Sequence, residues 1–177
     1  MSNDIFKVFL LEDMEEDMAL NKRQVRKFNA SVLFATARNR VEFEAKIVDF
    51  QPDIVLSDYN LPDMNGLEAL LYVREHLDST PFVFITGILN DEERVAETIL
   101  NGASGYLLKE NLHNLPELLE NVLAKNSAIL QRKEKEWERR RTNQVELQKA
   151  IATLRQSSAP EAPGLIERLS LVFDNLN

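Results

Sequence analysis

Acidic side chains directly follow two apolar runs of this 177-residue chain. Glu12 and Asp13 come after the run from Ile5 to Leu11, and Asp58 comes after the run over 53–57. Because the carboxyl ends of parallel strands meet at one edge of a sheet, we expect the three carboxylates to converge. Two like charges about 4 Å apart repel by roughly 4 kcal/mol at an effective dielectric constant near 20, so the group requires protons or a cation. Hard oxygen ligands of this kind favour Mg²⁺.

A hydroxyl and an ammonium group are predicted at the same edge. Thr86 ends the apolar run "PFVFIT", and Lys109 ends the run "GYLLK". Together with a carboxylate nucleophile and a metal, these donors would stabilise the oxygens of a transferred phosphoryl group. The residue types and their spacing therefore favour phosphoryl-transfer chemistry.

Five predicted strands alternate with helices and would position these side chains. The strands cover 5–11, 31–36, 53–57, 81–86 and 105–109, and helices are expected over 14–28, from Val41 to before Pro52, and over 64–77 and 91–101. Asn90 or Asp91 is the expected cap of the last of these helices, and Gly102 is its expected stop. The alternation predicts an α/β fold with a doubly wound five-stranded parallel sheet.

The ordered set of Glu12-Asp13, Asp58, Thr86-Gly87, Tyr106 and Lys109 resembles the receiver domain of two-component response regulators, over about 4–125. The resemblance implies a flavodoxin-like or CheY-like sheet of order 2-1-3-4-5. It implies that Asp58 accepts a phosphoryl group from a partner histidine kinase or a phosphotransfer protein. It also implies a signalling module rather than an enzyme.

The same resemblance implies roles for the other residues of the set. The Mg²⁺ ligands would be Glu12, Asp13, Asp58 and the backbone carbonyl of Asn60. Lys109 would bind a phosphoryl oxygen, and Thr86 and Tyr106 would move on activation. One position departs from the family pattern, because many receivers have proline after the lysine and Glu110 stands here.

A helical extension is expected after the domain at 1–125. Residues 126–156 continue a long helix that starts near Asn114. A seven-residue repeat on this helix favours a coiled coil and therefore a homodimer. The repeat consists of Leu123, Leu130, Trp137, Gln144 and Ile151. A linker is expected at 157–164 and a short amphipathic helix at 165–177. Parallel pairing, antiparallel pairing and folding back all fit the pattern.

Composition limits the remaining function classes. The net charge is −8, and residues 1–125 carry 12 Lys and Arg against 22 Asp and Glu, which disfavours nucleic acid as a partner. Six cations at 132–141 alternate with glutamates and read as a solvated helix face. No apolar run is long enough for a membrane span, and the absence of cysteine agrees with a cytoplasmic location.

Alternative interpretations apply to single residues and to the whole chain. Glu15, Glu16 and Asp17 are expected to be solvated acids at a helix start, where the helix dipole favours them. His76 and His113 have no ligand spacing. A Mg²⁺-dependent small-molecule phosphatase or phosphotransferase and a phosphorylation-independent scaffold are the competing functions.

Overall fold

A computed structural model describes residues 5–87, 99–156 and 160–174. Five parallel strands form one sheet of order β2-β1-β3-β4-β5, which confirms the predicted fold and strand order. The strands are β1 (Phe6–Leu11), β2 (Val32–Ala37), β3 (Ile54–Ser57), β4 (Phe82–Thr86) and β5 (Gly105–Leu108).

Three helices connect the first four strands. They are α1 (Glu15–Phe28), α2 (Arg40–Phe50) and α3 (Gly66–His76). The predicted helix over 91–101 lies mostly outside the described residues. Its described end includes Gly102, which has a positive φ of 92° and donates its backbone N–H to the carbonyl of Ile99. Glycine adopts this conformation without steric strain, which suits a helix stop.

The two faces of the sheet carry separate cores because successive strand side chains point to opposite sides. In β1, Val8 and Leu10 belong to the cluster that includes α1 and the start of the long helix. Phe9 and Leu11 belong to the second cluster, which includes α2 and α3. Strand β1 is therefore buried on both faces, as its nearly continuous apolar sequence indicates.

After β5 the chain forms a 3₁₀ segment (Lys109–Asn114), the long helix (Leu115–Arg155) and the final helix (Ala162–Asp174). The final helix starts three residues before the predicted Leu165. Pro163 is tolerated there because the first turn of a helix does not need its missing N–H. Among the described residues, no helix has both the length and the apolar character needed to cross a membrane.

The chain divides into two compact units, 1–126 and 127–177. In the first unit, Leu115, Leu119 and Val122 of the long helix are buried in the core. In the second unit, Gln144, Leu147, Ile151 and Leu154 form a half-buried stripe on the long helix.

Candidate functional site

Strand register brings the acidic residues together. Leu11 pairs with Ser57 across β1 and β3, so Glu12 and Asp58 leave neighbouring strands at the same level. The backbone N–H of Asp58 donates to the carbonyl of Leu11 at 2.9 Å. Ligand oxygens of Glu12, Asp13 and Asp58 lie within 4.8 Å of one another. The predicted convergence of the three carboxylates is present.

The loop after Asp58 is held by α3. Asn65 is the N-cap of α3 and forms a capping box with Glu68. The Asn65 side chain accepts the backbone N–H of Glu68, and the Glu68 side chain accepts the backbone N–H of Asn65. The N–H of Gly66 donates to the carbonyl of Tyr59 at 2.7 Å, and Asn60 forms a bridge with Asn65. These contacts hold the backbone that follows Asp58 against the start of α3.

Asp58 is buried, with 8% of its surface exposed. Its Oδ1 accepts the N–H of Asn60 at 3.2 Å, and its Oδ2 accepts from Nζ of Lys109 at 2.7 Å. Lys109 follows β5 directly, which places its ammonium group at this edge of the sheet. The basic side chain predicted beside the carboxylates therefore contacts Asp58.

Glu12 is almost fully buried, with 1% exposure. Its Oε1 accepts the N–H of Met14 at 3.1 Å. Its Oε2 is 2.9 Å from Nζ of Lys109 but has no well-directed hydrogen bond in the described part of the chain. Burial raises the pKa of Glu12, although Lys109 acts in the opposite direction.

Thr86 and Tyr106 lie on neighbouring strands near this group. Thr86 ends β4 and is 2% exposed, and it pairs with Leu108 of β5. Tyr106 is half-buried on β5. Burial and, to a smaller extent, the charge of Asp58 raise the pKa of Tyr106. The Tyr106 phenol is therefore within electrostatic reach of the carboxylate.

Asp17 is a site residue that the sequence analysis missed. It lies in the first turn of α1, and its Oδ2 accepts from Nζ of Lys109 at 2.6 Å. The expectation that Asp17 is only a solvated acid at a helix start is wrong. The contact joins residues 92 positions apart, so no local spacing in the sequence indicated it.

The residues present fit a divalent cation. Four carboxylates and one ammonium give a formal charge of −3 when all are ionised; they are Glu12, Asp13, Asp17, Asp58 and Lys109. The buried Oε2 of Glu12 without a directed hydrogen bond is a suitable hard ligand atom. The site therefore has both the charge and the oxygen donors for Mg²⁺.

Comparisons with known proteins agree on one family. The family model for the response regulator receiver domain matches residues 8–122. Transcriptional regulatory protein YdfI of Bacillus subtilis is 33% identical over 106 residues, which cover 56% of this chain and 49% of that protein. The chain spans between 35% and 50% of the length of the first curated relatives that it matches.

Solved structures show the same fold. A CheY-like receiver domain from Methanospirillum hungatei aligns with a TM-score of 0.63 at 21% identity, covering 71% of this chain and 98% of that one. The chemotaxis response regulator CheY4 of Vibrio cholerae aligns with a TM-score of 0.59 at 27% identity, covering 67% of this chain and 99% of that one. With its matched profile, its strand order and its acidic site, the chain belongs to the response regulator receiver domain family.

Proposed function

We propose that Asp58 accepts a phosphoryl group from a sensor histidine kinase or a phosphotransfer protein, in a reaction that requires Mg²⁺. The observation that carries the proposal is the environment of the Asp58 carboxylate. It lies between oxygen atoms able to hold a metal and the ammonium group of Lys109, at 2.7 Å from Oδ2. A buried carboxylate placed in this way can attack phosphorus while cations neutralise the charge that develops.

In the proposed reaction an oxygen of Asp58 forms a bond to phosphorus as the bond from phosphorus to the donor nitrogen breaks. Mg²⁺, held by Glu12, Asp13, Asp58 and the backbone carbonyl of Asn60, would neutralise the phosphoryl oxygens. Lys109 orients a further phosphoryl oxygen through its ammonium group. Thr86 donates its hydroxyl to the phosphoryl group once that group is in place.

Tyr106 and Thr86 are the proposed switch residues. Phosphorylation adds a charge of about −1.5 to −2 at Asp58. The charge of Asp58 already raises the pKa of the Tyr106 phenol, so Tyr106 is close enough to respond to the added charge. Movement of Thr86 toward the new oxygens leaves space into which Tyr106 turns. The surface around β5 then differs between the two states, and a partner can distinguish them.

We propose that phosphorylation acts on the helical extension. It would change either homodimerisation or the binding of an unknown downstream protein. The supporting observation is a set of large apolar side chains on the second unit's part of the long helix that are exposed in the single chain. Ile129 is 45% exposed, Leu130 39%, Trp137 61% and Val145 43%. The proposal includes the cytoplasmic location expected from the sequence.

Phosphoryl transfer is tested with a small phosphodonor carrying labelled phosphate, with and without Mg²⁺. We expect the wild-type chain to be labelled only with Mg²⁺ and Asp58→Asn to remain unlabelled. Asp49→Asn is the charge-matched control, because Asp49 is exposed on α2, and it should be labelled like the wild type. Equal labelling of Asp58→Asn would reject Asp58 as the acceptor.

A further inference from the structure

The ammonium group of Lys109 contacts three carboxylates. Nζ lies 2.6 Å from Oδ2 of Asp17, 2.7 Å from Oδ2 of Asp58 and 2.9 Å from Oε2 of Glu12. An ammonium group has three N–H donors, and each has an anionic oxygen within reach. A phosphoryl oxygen that binds Lys109 must therefore replace one of these carboxylates.

The three carboxylates differ in solvent exposure, and therefore in how easily water can solvate them when Lys109 is no longer in contact. The side chain of Glu12 is 1% exposed, that of Asp58 is 10% exposed and that of Asp17 is 32% exposed. A buried carboxylate that is separated from a cation carries a desolvation penalty, whereas a partly exposed one is solvated by water. Asp17 is therefore the partner that can leave at the lowest free-energy cost.

Asp17 also differs from the other two in its place in the fold. Glu12 and Asp58 belong to the group able to hold a metal, so a bound cation would compensate their charge. Asp17 lies outside that group, in the first turn of α1, and its contact with Lys109 joins residues 92 positions apart. Its direct contact with the site is the ion pair with Lys109.

We propose that Asp17 is a positioning residue that holds Lys109 in the unphosphorylated protein and is displaced from it by the phosphoryl group. This inference rests on the proposed phosphorylation of Asp58. The displaced Asp17 carboxylate turns to solvent, and Lys109 keeps its remaining contacts while it binds the phosphoryl oxygen. Asp17 thereby lowers the affinity of the site for a phosphoryl group, because its ion pair must break.

The charge of Lys109 supports this competition. Burial acts to lower the pKa of Lys109, but its close contacts with the carboxylates of Asp17, Asp58 and Glu12 outweigh burial and raise that pKa above its ordinary value. Lys109 is therefore cationic at every pH at which the site is used. What changes is the anion that it contacts.

The contact itself is tested without any phosphorylation, by the ¹⁵N NMR signal of the Lys109 ammonium group. We expect Asp17→Asn to shift this signal and to speed exchange of its protons with water. Glu16→Gln is the control, since Glu16 is exposed in the same helical turn and its loss removes the same charge. Identical Lys109 signals in the two variants would overturn the inference.

The competition is tested by titrating the Mg²⁺-loaded protein with beryllofluoride, a phosphoryl mimic. We expect Asp17→Asn to bind the mimic about fivefold more tightly than Glu16→Gln, as for the loss of one partly exposed ion pair. Asp17→Glu, which restores the carboxylate, should return the affinity toward that of the wild type. If Asp17→Asn binds the mimic no more tightly than Glu16→Gln, the inference about Asp17 is overturned, but Asp58 can still be the acceptor. If the wild-type chain binds no mimic at all, the result counts against the proposed function itself.

Discussion

Glu12 is the most deeply buried acid of the site, and its burial has a measurable consequence. Burial raises the pKa of Glu12 above its ordinary value of 4.5, and Lys109 only partly offsets this effect. The protonated acid therefore stabilises the fold fully below pH 4.5, and this stabilisation is lost as pH rises through the folded-state pKa. Ionisation of Glu12 therefore lowers the stability of the fold, and a cation bound beside the carboxylate would reduce this cost.

We expect Glu12→Gln to raise the free energy of unfolding by on the order of 1 kcal/mol at pH 7 without Mg²⁺, because the neutral amide needs no compensating charge. The gain should shrink as pH falls toward 4. Denaturant unfolding at several pH values measures both quantities. Addition of Mg²⁺ should stabilise the wild type more than the variant, and a variant less stable than the wild type at pH 7 would contradict this explanation.

The sequence predicted most of the single residues of the site, and the reason for the exception is physical. Glu12, Asp13, Asp58 and Lys109 each follow a strand, so the edge of a parallel sheet is sufficient to bring them together. Asp17 lies instead on a helix whose acidic start is already favoured by the helix dipole. Its contact with Lys109 depends on how α1 packs beside the 3₁₀ segment that begins at Lys109, which no local pattern in the sequence reports.

At the level of elements, the join between β3 and α3 is the tightest point near Asp58. A Cβ added to Gly66 would lie 2.8 Å from Cα of Tyr59 and 3.0 Å from the carbonyl oxygen of Asp58. Those neighbours are backbone atoms, which cannot turn aside as a flexible side chain can. Glycine is required here by the close approach of two backbone segments.

We expect Gly66→Ala to lower the free energy of unfolding by about 1–3 kcal/mol, as overpacking of a tight site does, and to slow phosphorylation by displacing Asp58. Gly164→Ala is the matched control, because a Cβ at Gly164 meets nothing within 4 Å and alanine favours its helix. Thermal unfolding and labelling by a phosphodonor measure the two effects. Wild-type behaviour of Gly66→Ala in both assays would contradict the close packing described.

The strands were predicted within a residue or so of their observed bounds. The signal is clearest for β1, β3 and β4, which are largely buried and therefore nearly continuously apolar. Helix ends were less well predicted. Pro163 was interpreted as part of a linker, yet it occupies the first turn of the final helix. A proline before a short apolar stripe fits both a linker and the first turn of a helix, so residue type alone does not fix where the helix begins.

At the level of the whole molecule, the second unit contains two helices with partly covered apolar stripes. On the long helix, Gln144, Leu147, Ile151 and Leu154 are half-buried, at the spacing of heptad positions. On the final helix, Ala162 is buried and Ile166 and Leu169 are half-buried. The apolar residues nearer the middle of the long helix, among them Trp137, remain available for a partner.

At this scale, phosphorylation of Asp58 is proposed to control assembly through the long helix, and light scattering of the full chain tests phosphorylation and assembly together. With Mg²⁺ and beryllofluoride, we expect the molar mass of the wild type to differ from that of the untreated protein. Asp58→Asn should show no change. A chain truncated after Asn126, which retains the first compact unit, should remain a monomer under both conditions. An unchanged molar mass in the wild type, or full-length assembly in the truncated chain, would contradict the account.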